Sequence, residues 1–247
     1  MDASKIIYGR LSEIVIRPEP KTERSRRNWI LSEDQVLDWP EFKREVRAIT
    51  TKHLGEPQPQ AALPPAQGHY VVGAEPGITS CIISGALEQV GQVLEAQGVR
   101  VRYGDRATGP RLIGTYYPDV IGQRSVEVGE TRIAGEVKVP WNTSLEPGRD
   151  LHRVLGQVAK YMDTYGCSYG FACTYEKLVL VKRFDMFRFK VSPVVKGDQN
   201  ADPETLSVRE CFYFLARMAA GSEWKHHGDK AGDALTNGQF RSRNLRR

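Results

Sequence analysis

The sequence lacks any apolar run near the roughly 18 consecutive residues that a membrane-spanning helix requires. Its first residues, MDASKIIYGR, also lack a long apolar stretch behind a basic leader, so no secretory signal is predicted. The first absence argues against a bilayer-spanning helix, and the second argues against export. We therefore expect an intracellular location, cytoplasmic or nuclear, and no membrane partner.

Cysteine is scarce, and its spacing carries no metal-binding pattern. The chain has 4 cysteines without a C-x-x-C pair, which argues against a zinc finger. Because their neighbours have helix- or strand-like patterns, we expect buried thiols in a reducing compartment. The sequence also shows no P-loop glycine pattern and no Ser/His/Asp order. The cysteines are Cys81, Cys167, Cys173 and Cys211.

The composition is that of a globular chain with some unpacked segments. Hydrophobic residues make up 40% of the 247 residues, slightly below ordinary usage. This length suits one large domain, or one domain with substantial appendages. The formal net charge of +5 and the pI near 9.0 permit a polyanionic partner such as nucleic acid.

Shifts in composition divide the chain into three parts. Residues 1–68 are interpreted as an N-terminal arm, with one helix over 40–54 and a Pro-rich linker over 55–68. Residues 69–221 carry the apolar patterning of a folded domain. Residues 222–247 are polar and end in a basic run, so we expect a flexible, disordered tail. The arm leaves room for a partner surface or a homodimer contact.

Apolar periodicity within the folded part alternates between helical and extended spacing. For example, Ile83, Leu87, Val90 and Leu94 share one helical face, and Gly98 ends that helix. The order of elements indicates a mixed α/β domain whose central sheet is flanked by helices. The helices are predicted over 80–98, 148–166 and 203–221, and the strands over 98–104, 112–122, 131–141, 167–176, 177–184 and 186–193.

Two charged patterns lie on neighbouring predicted strands. Pro118-Asp119 is followed, after a gap of 16 residues, by Glu136-Val137-Lys138. Side chains alternate along a strand, so Glu136 and Lys138 share a face, and antiparallel pairing can bring Asp119 opposite them. Two carboxylates make an oxygen site suited to Mg²⁺ or Mn²⁺. A lysine beside them can position a water or stabilise charge on a phosphate, which indicates metal-assisted phosphodiester hydrolysis.

This arrangement resembles the PD-(D/E)xK nuclease superfamily, which has the restriction-endonuclease-like fold. The family motif is Pro-Asp, a variable gap, then Asp or Glu, any residue, and Lys, as in Pro118-Asp119 and Glu136-Val137-Lys138. The family core runs α-β-β-β-α-β, which is similar to the order predicted over residues 80–176. Both ends of the chain lie outside the resemblance.

The resemblance implies further site residues. An acid on the first core helix often joins the metal site, and Glu88 is its counterpart here, with Glu95 second. The exonuclease-like branch carries Gln-x-x-x-Tyr on the helix after the lysine strand. Gln157 and Tyr161 match it, and they would orient the substrate or the lysine. The resemblance also places a backbone oxygen at Val137 among the metal ligands.

The function implied by the resemblance is a Mg²⁺- or Mn²⁺-dependent deoxyribonuclease. Asp119 and Glu136 would bind the cation, and Lys138 would lie beside the attacking water. Three alternatives stay open. The domain could be an inactive module that binds nucleic acid or protein, or it could cleave RNA in place of DNA. Glu136 and Lys138 could also form an ordinary ion pair on a solvated strand face.

Overall fold

The computed structural model describes residues 2–16, 29–55, 70–105, 117–124 and 129–235, which build a mixed sheet flanked by helices. The helices are α1 (Ala3–Ile7), α2 (Phe42–Leu54), α3 (Glu75–Ile82), α4 (Glu88–Ala96), α5 (Arg149–Tyr165) and α6 (Val208–Ala220). The strands are β1 (Ile14–Ile16), β2 (Val36–Asp38), β3 (Tyr70–Val72), β4 (Arg102–Asp105), β5 (Val120–Gln123), β6 (Thr131–Val137), β7 (Tyr169–Cys173), β8 (Lys177–Arg183), β9 (Phe189–Val191) and β10 (Val195–Lys196).

Within the described ranges, the large sheet has 8 strands in the order β2-β9-β8-β7-β6-β5-β4, with β10 paired to β8. The pairs β6/β7 and β2/β9 are parallel, and the remaining pairs are antiparallel. Consecutive parallel strands need a crossover connection, and α5 supplies it between β6 and β7. A separate two-stranded parallel sheet joins β1 to β3.

Helices cover both faces of the large sheet because its central strands are buried on both sides. Along β6, Val137 faces the core formed with α3, α4 and α6, whereas Ala134 faces the core formed with α5. The same alternation places Glu136 on the α5 side of the strand. Helix α5 lies close to the sheet, since a Cβ on Gly170 of β7 would meet Val158 at 2.7 Å.

The helix predicted over residues 80–98 begins earlier and is interrupted. It starts at Glu75, and a π turn over Ile83–Leu87 separates α3 from α4. At the end of this turn, the Glu88 N–H donates to the Ile83 carbonyl, five residues back. The two helices therefore form one long rod with a local change of pitch.

Most other predicted elements are present, with shorter strands. Helix α5 spans Arg149–Tyr165, within one residue of its predicted bounds at each end. The strand predicted over 112–122 corresponds to β5 at Val120–Gln123, and residues 112–116 lie outside the described part. Strand β6 ends at Val137, four residues before the predicted end at Trp141.

Parts of the N-terminal arm belong to the large sheet and its core, although β1 pairs in the separate small sheet. Strand β2 pairs in parallel with β9, with Val36 opposite Phe189 and Asp38 opposite Val191. Ile7 of α1 is fully buried in the core. Residues 56–69, which hold most of the predicted linker, lie outside the described part. Strand β2 and helix α1 of the arm thus pack with the folded domain, and the expected division at residue 68 stays a prediction.

Residues 222–235 pack against α5. The Asp163 carboxylate of this helix accepts the backbone N–H groups of Ala231 and Gly232, each at 2.9 Å. This packing corrects the expected disorder of the segment. The remaining tail residues, 236–247, lie outside the described part.

The four cysteines are free thiols, and all are buried, in line with the expectation for their packing. No helix in the described ranges combines the length and the apolarity needed to cross a membrane.

Candidate functional site

Asp119 is held against the end of β6 by two backbone hydrogen bonds. Its N–H donates to the Gly135 carbonyl at 3.0 Å, and its carboxylate Oδ2 accepts the Val137 N–H at 2.8 Å. Asp119 immediately precedes β5, whose first residue, Val120, is paired with Gly135. The antiparallel register therefore brings the Asp119 carboxylate to the strand end that carries Glu136.

Glu136 and Lys138 meet directly at this strand end. The Lys138 Nζ lies 2.5 Å from Glu136 Oε1. Glu136 is 3% exposed, and the Lys138 side chain is 13% exposed. The Lys138 backbone is fixed as well, since its N–H donates to the Cys173 carbonyl at 2.8 Å. This burial contradicts an ordinary ion pair on a solvated strand face.

A third acid joins the lysine from the opposite side of the sheet end. Glu75 Oε2 lies 3.4 Å from Lys138 Nζ, and the Glu75 side chain is partly exposed. Glu75 is the first residue of α3, and Pro76 follows it. An acid and a proline in the first turn are typical of a helix start, so the sequence did contain a signal for this residue.

Glu88 lies elsewhere, although the resemblance suggested it as the helical acid. It is exposed, and it lines a surface cavity beside β4 together with Glu95 and Arg102. Glu88 follows Glu75 by 13 residues in the sequence, which is about 20 Å along a helix. The structure therefore brings Glu75, and not Glu88, to Lys138.

Gln157 and Tyr161 lie one turn apart on α5, and both are buried. The Tyr161 ring packs edge-on against Trp29, with ring centroids 6.4 Å apart. Helix α5 packs on β6, on the side of the strand to which Glu136 points. Both residues thus lie on a helix that packs against the strand carrying Glu136.

The buried charges perturb one another. Burial raises the pKa of Glu136 from 4.5 to about 7, the Asp119 charge adds to this, and Lys138 partly opposes it. For Lys138, burial alone would lower the pKa, but Glu136, Glu75 and Asp119 together raise it. The lysine is therefore held as an ammonium between carboxylates. The pKa of Glu136, at about 7, lies near neutral pH.

One carboxylate oxygen at this site has no hydrogen-bond partner among the described residues. Glu136 Oε2 is buried, and no donor in the described ranges reaches it. A buried carboxylate oxygen without a donor is costly, and it suggests a ligand that this oxygen binds. The unsatisfied atom lies next to an acid whose charge already disfavours ionisation of Glu136. A cation bound here would give Glu136 Oε2 a partner and would offset the repulsion between the Asp119 and Glu136 carboxylates.

The residues present fit a hard divalent cation bound by few protein ligands. Within the described ranges, no group of three or more His, Cys, Asp or Glu side chains is arranged to hold a metal ion. Mg²⁺ is commonly held by only one or two carboxylates and keeps several waters. Asp119 and Glu136 would supply those carboxylates, and Val137 lies between Glu136 and Lys138 at the end of β6.

The raised pKa of Glu136 predicts a pH-dependent stability difference between the wild type and Glu136→Gln. Below pH 4.5 the carboxyl is neutral in both folded and unfolded chains. As pH rises from 4.5 to about 7, only the unfolded chain ionises, so the wild type loses on the order of 3 kcal/mol of stability. The glutamine variant lacks this loss, and urea unfolding at pH 5 and pH 8 measures the difference.

The control for this measurement is Glu88→Gln, which removes an exposed acid from a different surface. Its stability is expected to follow the wild type across the same pH range. A constant difference between Glu136→Gln and the wild type from pH 5 to pH 8 would contradict the perturbed state of Glu136.

Comparison of the chain with protein-family models, with curated proteins and with solved structures finds no match. The functional conclusion therefore rests on the geometry and the electrostatics of this site.

Proposed function

We propose that this protein is a Mg²⁺- or Mn²⁺-dependent nuclease that hydrolyses phosphodiester bonds in DNA. The observation that carries the proposal is the meeting of Asp119, Glu136 and Lys138 at one end of β6. A structural ion pair needs only one acid, whereas here two further carboxylates lie around the same buried ammonium. Such clustering of perturbed ionisable groups is typical of a catalytic site.

Each residue has a role in this proposal. Asp119 and Glu136 hold the cation, with the Val137 carbonyl as a further oxygen. A divalent cation, when bound, supplies Lewis acidity at a phosphate oxygen and lowers the pKa of water. Lys138 orients the attacking water and stabilises the charge that develops on the phosphate. Gln157 and Tyr161 support the substrate or the lysine from α5.

The order of elements supports the restriction-endonuclease-like fold. The segments α4, β4, β5, β6, α5 and β7 follow one another as α-β-β-β-α-β. Asp119 immediately precedes the second strand of this unit, Glu136 lies in the third, and Lys138 directly follows it, in the order of the PD-(D/E)xK pattern. The net charge of +5 favours a polyanionic substrate.

Incubation of the purified protein with plasmid and linear DNA tests the proposal. Cleavage is expected with Mg²⁺ or Mn²⁺, and it should stop when EDTA is added. Asp119→Asn is expected to abolish cleavage because the amide cannot replace the charged metal ligand. The amide oxygen can still accept the Val137 N–H, so this variant should keep its fold.

Glu88→Gln serves as the matched control, since it neutralises an acid outside the site and should leave cleavage unchanged. Labelled RNA in a parallel digestion identifies the preferred nucleic acid. Cleavage that survives Asp119→Asn would remove this site from consideration. Salt-sensitive binding of DNA without cleavage would favour a binding module instead.

A further inference from the structure

A buried arginine that the proposed chemistry does not use is bound to the π turn between α3 and α4. Arg209 of α6 is 8% exposed, and its Nε donates to the Gly85 carbonyl at 2.9 Å. Its Nη1 also lies 3.4 Å from the Ile6 carbonyl. Gly85 is the central residue of the π turn, so Arg209 joins the turn to α6 and to α1.

The π turn allows both halves of the long helix to bury their apolar sides in one core. Ile82 before the turn, and Val90 and Leu94 after it, are all fully buried. In an uninterrupted α-helix, with about 100° of rotation per residue, Leu94 would lie about 120° around the axis from Ile82. The extra residue in a π turn removes about 100° of that difference. Both side chains can then face the same side.

Glu75 belongs to α3, and the rotation of α3 about its axis relative to α4 depends on this turn. Glu75, Ile78 and Ile82 follow the i, i+3, i+7 spacing of one helical face. On this face the Glu75 carboxylate comes within 3.4 Å of Lys138 Nζ. A rotation of α3 by about 100° relative to α4, as expected if the turn became α-helical, would move the carboxylate away from Lys138.

The turn also depends on side-chain donors to satisfy its carbonyls. The Gly85 carbonyl accepts a hydrogen bond from the Arg209 Nε. The neighbouring Ser84 carbonyl accepts one from the Gln89 side-chain amide at 3.4 Å. A buried carbonyl that loses its donor costs free energy comparable to a lost hydrogen bond. Without Arg209, the π turn would therefore lose one of the contacts that favour it over a regular α-helical turn.

We propose that Arg209 is a positioning residue of the site, because its bond to Gly85 fixes the π turn that directs Glu75 to Lys138. Its catalytic consequence rests on the proposed nuclease function. The link from Arg209 to the ion pair between Glu75 and Lys138 is a separate statement about the fold, and it can be measured without any substrate.

The first test measures the coupling between Glu75 and Lys138 in urea unfolding. A double-mutant cycle of Glu75→Gln and Lys138→Met is carried out in the wild type and in the Arg209→Met background. The coupling is expected in the wild type and absent in the Arg209→Met background. Arg217→Met is the control, since it removes another α6 guanidinium, one bound to Tyr213 and Gln97.

The series at residue 209 separates positioning from general damage to the fold. Arg209→Lys retains a donor and is expected to keep part of the coupling. Should Arg209→Met not fold, Arg209→Leu replaces it, because leucine also lacks any donor for the Gly85 carbonyl. Equal coupling in the wild type and in the folded variant without this donor would overturn the proposal.

The second test uses cleavage rates. Glu75→Gln and Arg209→Met are each expected to lower kcat by about 100-fold with little change in KM. The double variant should lose no more than Glu75→Gln alone, because Arg209 acts through Glu75. A double variant whose loss in kcat equals the product of the two single losses would overturn the positioning role of Arg209. Absence of cleavage by the wild type would instead contradict the nuclease function. The coupling between Glu75 and Lys138 would then decide whether Arg209 positions Glu75.

Discussion

Lys138→Met is expected to lower the rate of metal-dependent DNA cleavage by about 1,000-fold. Methionine retains an apolar stem of similar length, but it removes the ammonium that lies 2.5 Å from Glu136 Oε1. In the proposed chemistry, this ammonium orients the water and meets the charge that develops on the phosphate. Single-turnover cleavage at saturating Mn²⁺ measures the effect on the chemical step.

The same variant is expected to bind Mn²⁺ within about 10-fold of the wild-type affinity, because the carboxylates of Asp119 and Glu136 supply the protein side-chain ligands. Asp119→Asn should behave differently and lose cation binding together with cleavage. Titration calorimetry with Mn²⁺ distinguishes the two variants. This contrast assigns Lys138 to the reaction and Asp119 to the cation.

Lys43→Met is the matched control for Lys138→Met. Lys43 also pairs with a glutamate, Glu204 at 3.0 Å, but both side chains are exposed on the surface. Its removal should leave the cleavage rate unchanged. Wild-type cleavage by Lys138→Met would show that the buried ammonium has no part in the reaction.

The three residues of the motif could be predicted from sequence because they depend on local rules. Side chains alternate along β6, which places Glu136 and Lys138 on one side of the strand. Antiparallel pairing of β5 with β6 then brings Asp119 to the same strand end. The amphipathic period of α5 was equally clear, since apolar residues at helical spacing run from Leu151 to Met162.

Glu75 was missed because its position depends on an irregular helix. Regular periodicity over Ile83, Leu87, Val90 and Leu94 predicts a start near residue 80, whereas the helix continues through a π turn back to Glu75. A π turn changes the phase of the apolar pattern, so the residues before it look unrelated to those after it. The donor that stabilises this turn, Arg209, lies far away in the sequence.

Long-range pairing and buried polar contacts were also hidden from the sequence. Strand β2 pairs with β9, about 150 residues later in the chain; β9 lies within the strand predicted over 186–193, but β2 was not predicted. The segment 222–235 is polar, so its composition favours disorder. It is nevertheless held by the buried Ala231 and Leu235 and by polar contacts, among them two backbone N–H groups that donate to Asp163 of α5.

Asp163→Ala is expected to reduce the free energy of unfolding by about 3–5 kcal/mol. Asp163 Oδ1 pairs with Arg183 Nη2 at 2.8 Å, and the two side chains are 3% and 1% exposed. Alanine would leave a buried guanidinium without its counter-ion. It would also remove the acceptor for the N–H groups of Ala231 and Gly232. Urea unfolding with an unchanged m-value measures the loss.

Hydrogen exchange tells whether Asp163 also orders the segment that follows α6. The amides of Ala231 and Gly232 should be protected in the wild type and exchange freely in Asp163→Ala. Glu204→Ala removes an acid from an exposed pair and should cost at most about 1 kcal/mol. Retained protection, or a loss as small as this control, would contradict the role of Asp163. Loss of protection at both amides would show that the buried Asp163 carboxylate orders this polar segment by accepting hydrogen bonds from its backbone N–H groups.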